Sequence, residues 1–76
     1  LNVWSNAQGI VMEHSFTEGT VKVEVLDATG RLHIQRQIAA APGRTVIATD
    51  ALNSGIWFVR VTNGDLVQSF RVPLVR

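Results

Sequence analysis

Apolar and polar residues alternate with a period of two along much of this chain. In TVKVEVLD, Val21, Val23 and Val25 alternate with Thr20, Lys22 and Glu24. That pattern predicts a strand with one face on a core and the other in water. DATG follows, with Asp27 and Gly30 placed as in a hairpin turn. RLHIQRQI alternates again, Leu32 and Ile34 against His33 and Gln35. Arg36 interrupts the inward set before Ile38, which predicts a bulge or a strand end near it.

Pro42 and Gly43 punctuate AAAPGR as a loop, and TVIATD, residues 45–50, predicts a short strand. DALNSG reads as a turn or a single helical turn, capped by Asp50 and ended by Gly55. IWFVRVT is the next strand, and Asn63-Gly64 gives the strongest hairpin signal in the chain. The last strand is DLVQSFRVPLVR, where Pro73 cannot donate to a ladder and therefore marks an edge. Two further strands are expected in NVWS and GIVMEHS near the start. About seven strands spaced by roughly 8–12 residues, with no helical periodicity, predict an all-β antiparallel sandwich.

Composition narrows the picture. A chain of 76 residues is a single domain, residues 1–76, with 46% hydrophobic residues, as a folded domain requires. Cysteine is absent, so disulfides and thiolate metal sites are excluded. A formal charge of +1 is no footprint for nucleic acid, which needs a concentrated basic face. No apolar run approaches the ~18 residues of a membrane helix. The chain opens Leu1-Asn2-Val3-Trp4 with neither an initiator methionine nor a charged leader, so it is expected to be a piece of something longer.

Catalytic chemistry has no seat in this pattern. His14 and His33 fall on different predicted strands, each on the expected polar face, and no H-x-H or H-E-x-x-H spacing joins them. Glu13, Glu18 and Glu24 are expected near turns or on an outer face, where solvated charge is the default. Asp27, Asp50 and Asp65 stand alone in their turns, so a calcium loop has no converging oxygens. No metal, cofactor or catalytic residue is expected. Trp4 and Trp57 invite a sugar-stacking platform but come from separate strands, and Trp57 shares its face with Val59 and Val61, which favours the core. Ile56 and Phe58 on the opposite face are either partly exposed, as a contact for another domain or partner, or buried because the strand is central.

VEVLDATGRL, followed some twenty residues later by ALNSGIWFVRVTNGDLVQSFRVPLVR, resembles the type A C-terminal sorting domains of the bacterial type IX (Por) secretion system. That family shows an aspartate, two variable residues, then Gly-Arg and an apolar residue, matched by Asp27, Gly30, Arg31 and Leu32. It then shows a leucine, two variable residues, Gly-Ile-Tyr and an alternating strand, matched by Leu52, Gly55, Ile56, Trp57, Val59, Arg60 and Val61. A glycine hairpin, Asn63-Gly64, and a last strand with Arg71 and Arg76 complete the pattern. The chain departs from it where Trp4-Ser5-Asn6-Ala7 replaces the usual Tyr-Pro-Asn-Pro, where Trp57 replaces Tyr, at Ala48, and at Pro73.

The resemblance implies an immunoglobulin-like sandwich serving as the last domain of a larger secreted protein, such as a protease or an adhesin. Its implied role is an address that carries cargo through the periplasm and across the outer membrane to the cell surface. The implied partners are the type IX translocon and the sortase complex, with removal of the domain and attachment of the cargo to an anionic lipopolysaccharide. Partner recognition is expected in the last strand, at Phe70, Arg71, Val72, Leu74, Val75 and Arg76, by pairing to a partner's sheet. An unpaired edge also makes a homodimer by strand pairing or exchange an expectation. Two other roles stay open: a retained interaction domain on a surface component of the secretion machinery, and an accessory carbohydrate-binding sandwich on a secreted enzyme.

Overall fold

The computed structural model of the protein describes residues 1–75. Seven strands run in chain order: β1 (Asn2–Asn6), β2 (Gly9–His14), β3 (Thr20–Leu26), β4 (Leu32–Ala39), β5 (Gly43–Ile47), β6 (Gly55–Asn63) and β7 (Leu66–Leu74). They form two antiparallel sheets, one ordered β1-β2-β5 and the other β4-β3-β6-β7. The sheets pack face to face, and the molecule is only 17 Å thick along its shortest axis, as two sheets about 10 Å apart require. The all-β antiparallel sandwich expected from the sequence is the fold found.

One layer of side chains joins the sheets. Val21, Val23 and Val25 of β3 meet Val59 and Val61 of β6, all at 0% exposure, against Ile10 and Met12 of β2. Val72 and Leu74 of β7, Ile47 of β5, Trp57 and Leu52 complete it. Branched valines suit this position because their stiff χ1 loses little freedom on a pleated surface.

Where prediction and structure differ, the reasons are local. β5 begins at Gly43 and ends at Ile47 rather than covering residues 45–50, because Gly43 already pairs with His14 across from β2. The hairpin between β6 and β7 turns on Gly64 and Asp65, with Asn63 paired to Leu66 as the last residue of its strand. No bulge or strand end occurs at Arg36, which pairs with Val23 in an unbroken register. The irregularity lies instead opposite Val25 and Leu26, where His33 is the extra residue of β4. Arg36 does share the inward phase of Ile34 and Ile38, but β4 is an edge, so its long stem lets the guanidinium reach water. Asp50 and Ala51 form a turn, closed by Leu52 N–H donating to Thr49 O at 2.9 Å, and no helix exists among the described residues.

Pro73 sits in an edge strand as expected. Its carbonyl accepts the Ser5 hydroxyl at 2.7 Å, so it faces away from β6 and toward β1. Within a strand, N and O of one residue point to the same side, so the missing N–H falls on the unpaired side and costs no ladder bond.

Gly55 starts β6 at φ +148°, a conformation side chains rarely adopt, although a Cβ there would meet nothing within 4 Å. The strain would therefore be in the backbone alone. Gly55→Val is expected to lower stability by about 1–3 kcal/mol, read from urea unfolding. An unchanged midpoint would show that the turn into β6 tolerates a side chain.

Candidate functional site

The two sequence motifs converge at one end of the sandwich. Asp27 closes the β3–β4 turn, with Gly30 N–H donating to Asp27 O and Asp27 N–H donating to Arg31 O, both at 3.0 Å. Gly30 takes φ +86° as the residue that ends a type I turn before the next strand. The Asp27 carboxylate organises the same loop. Its Oδ1 accepts the Thr29 N–H at 2.9 Å, the Arg31 N–H at 3.0 Å and the Thr29 hydroxyl. Its Oδ2 lies 2.8 Å from His33 Nε2.

The extra residue in β4 aims His33 at this cluster. A bulge rotates a side chain out of the regular alternation, and here it brings the imidazole edge-on to Trp57, 4.8 Å between ring centroids at 88°. Trp57 is 7% exposed, and its Nε1–H donates to Asn53 O at 3.0 Å. Leu52, 5% exposed, plugs the core beneath the same turn. Asp27, Gly30, Leu52, Gly55 and Trp57 are thus fold-making residues, tied together by His33 and Asn53. Arg31 contributes its backbone, while its side chain is exposed. At the far end, Asn63 Nδ2 donates to Glu18 O at 3.0 Å and Thr20 O at 3.4 Å, pinning the β6–β7 hairpin to the loop before β3.

His33 is exposed as expected, though its ring is turned onto Trp57 and Asp27, whereas His14 departs from the expected polar face. His14 is 7% exposed, stacked on Phe16 at 5.5 Å, with Thr45 Oγ1 3.5 Å from its Nε2. β2 is the central strand of its sheet and buried on both faces except at Glu13, so it carries no alternation from which the face of His14 could be read.

Glu24 also departs from expectation: it lies on the outer face yet is only 6% exposed. Arg60 stands directly opposite, with Nε donating to Glu24 Oε1 at 2.9 Å, and Lys22 Nζ lies 3.8 Å from the same oxygen. The Arg60 hydrogen bond holds the Glu24 carboxyl below its usual range against a burial effect in the other direction. Glu24 in turn raises the Arg60 pKa. Beside this pair, Ile56 and Phe58 are half-buried on the outer face of β6.

The tryptophans do not form a platform. Trp57 is inside the core, whereas Trp4 lies on the outer side of the other sheet with the Arg44 guanidinium 5.4 Å above its ring. Arg44 also pairs with Glu13 at 3.1 Å.

β7 divides the residues expected to meet a partner. Val72 (1% exposed) and Leu74 (5%) are core residues, and Phe70 packs half-buried against them. Arg71 and Val75 are exposed, Val75 at 92%, and Arg76 lies outside the described residues. Alternation along the strand enforces the split, because Phe70, Val72 and Leu74 share the face that Val59 and Trp57 bury.

The motif residues of this all-β module are spent on turns and core. The sequence pattern of the secretion system C-terminal sorting domain family matches residues 6–72. The chain belongs to that family, as a sorting signal of type IX secretion. Such a domain engages the type IX machinery and directs export across the outer membrane to the cell surface or the medium. No curated protein matches the chain.

Asp27 supplies a test of the turn cluster. Its carboxyl is held well below the usual range by the Thr29 hydroxyl, then by His33 and the backbone N–H groups. A depressed pKa gives stability that is complete above the unfolded value, about 4, and is lost as pH falls below it toward the folded value. Asp27→Asn should lower Tm at neutral pH and flatten the decline in Tm on acidification below about pH 4. An unchanged Tm and acid profile would remove the carboxylate from its organising role.

Proposed function

We propose that the type IX translocon reads this domain along the free side of β7, after transit through the periplasm, and that the sortase complex then removes it and joins the cargo to an anionic lipopolysaccharide. On this reading residues 1–76 form one sorting domain at the end of a larger secreted protein, and it acts by being bound rather than by chemistry of its own. The observation that carries it is that β7 has no hydrogen-bonded strand on its outer side, while Arg71 and Val75 project from it into solvent. Over residues 66–72, short of the Pro73 carbonyl that Ser5 takes, that edge offers backbone groups to a partner strand, and the outward side chains supply register and charge. Phe70, Val72 and Leu74 support recognition by holding the strand in place.

Fusing residues 1–76 to the C-terminus of a periplasmic reporter, in a host with an intact type IX pathway, tests the reading. Reporter at the surface with the domain removed is the expected result. Export with the domain attached would overturn the processing step, and a folded reporter retained in the periplasm would overturn the role of this chain as a sufficient signal. Arg71→Glu should reduce export without lowering Tm, whereas Val72→Lys should unfold the domain by placing a charge in the core. Full export of a folded Arg71→Glu fusion would move recognition away from β7.

A further inference from the structure

The sandwich has four edges, and three of them are guarded over part or all of their length. β1 lies against the Pro73 end of β7 through Ser5, which covers β1 and blunts β7 at that end only. β4 carries a bulge at His33 and an inward-phased charge, Arg36, both devices that discourage strand addition. β5 has none of these. Its register with β2 is unbroken from Gly43 to Ile47, it contains neither proline nor lysine, and Thr45, Val46 and Ile47 form a β-branched run. The one charged residue on the strand, Arg44, is drawn to the outer face by Glu13 and Trp4.

The unpaired side of β5 opens onto a cleft of about 330 Å³ between the two sheets. Its walls are Val23, Ile38 and Ile47 together with Thr45 and Val46, and Arg36 is also part of the lining. The Arg36 guanidinium bonds to the adjacent Gln35 carbonyl at 3.1 Å and is paired with no carboxylate among the described residues. An apolar floor, an open backbone edge and an unneutralised cation specify complementary features in an occupant.

We propose that the β5 edge and this cleft form a second docking site, distinct from β7, for an extended peptide segment of a partner protein. The segment pairs with β5 as a fourth strand of that sheet. Its inward side chains are apolar except for one carboxylate placed to meet Arg36. The proposal is independent of the sorting role, since it rests on the cleft and the edge alone.

The probe is a capped peptide of alternating valine and threonine with one central glutamate, titrated into the isotope-labelled 76-residue chain and followed by amide chemical shifts. Saturable shifts centred on Thr45, Val46 and Arg36 are expected. Arg36→Glu should weaken the peptide by about tenfold or more, and a lysine in place of the peptide's glutamate should restore binding to that variant. Val46→Lys, an exposed change that guards the edge, should abolish it while the fold is retained. Shifts mapping to β7, equal binding of glutamate and lysine peptides, or no saturation up to about 1 mM would each overturn the proposal. So would sedimentation showing a dimer paired through β5, which would assign the edge to a second copy of the chain.

Discussion

The valines of β3 and β6 are the point on which everything else hangs. Val21, Val23, Val25, Val59 and Val61 are completely buried and lie between the same two sheets. A chain this short buries only about 60% of the surface that its unfolded form exposes, and no disulfide narrows its unfolded ensemble. The single apolar layer must therefore supply nearly all of the stabilisation. Each fully buried valine is worth roughly 1.5–3 kcal/mol of transfer free energy, which makes the layer intolerant of a slip in register. A slip by one residue would turn the valines out and Lys22, Glu24 and Arg60 in.

Register is accordingly where the motif residues act. The Asp27 carboxylate fixes the β3–β4 turn by three N–H and O–H donors, and Asn63 fixes the β6–β7 hairpin by two carbonyls. The cross-strand pair of Glu24 and Arg60 adds a third lock between β3 and β6 on the outer face. Charge-assisted hydrogen bonds are the stronger kind, and here they sit at the Asp27 turn and on the central strands, where a shift in pairing would break them. Their value lies in choosing one alignment of strands that are otherwise uniformly valine-rich.

Much of this was legible in the residues. The alternation of β3 and β6, the turn at Asp27 and Gly30, the edge position of Pro73 and the core position of Trp57 all follow from period and from backbone chemistry. What escaped was whatever depends on neighbours. Alternation places Glu24 on the outer face but does not reveal that Arg60 and Gln35, opposite it on both sides, cover it. His14 lies on a strand buried on both faces, where no alternation exists to read. The bulge at His33 puts Leu32, 44% exposed, opposite Leu26, so counting alternate residues from Ile34 assigns Leu32 to the wrong face. Gly43 looks like punctuation after Pro42, yet it is already paired with His14. The juxtaposition of β1 with β7 depends on how the sheets are stacked, and that is written in no local segment.

The same alternation limits what a partner can read. On β7, every second side chain belongs to the core, so only Arg71, Val75 and their outward neighbours are free to vary without loss of the fold. Most of what the strand offers to the outside is backbone, which is the same in every sequence. On the proposed reading of β7, specificity comes from shape: which edge is open, how far it runs and where it is interrupted. That explains why the residues held most tightly are those of the turns. They set the lengths and the phase of the edges.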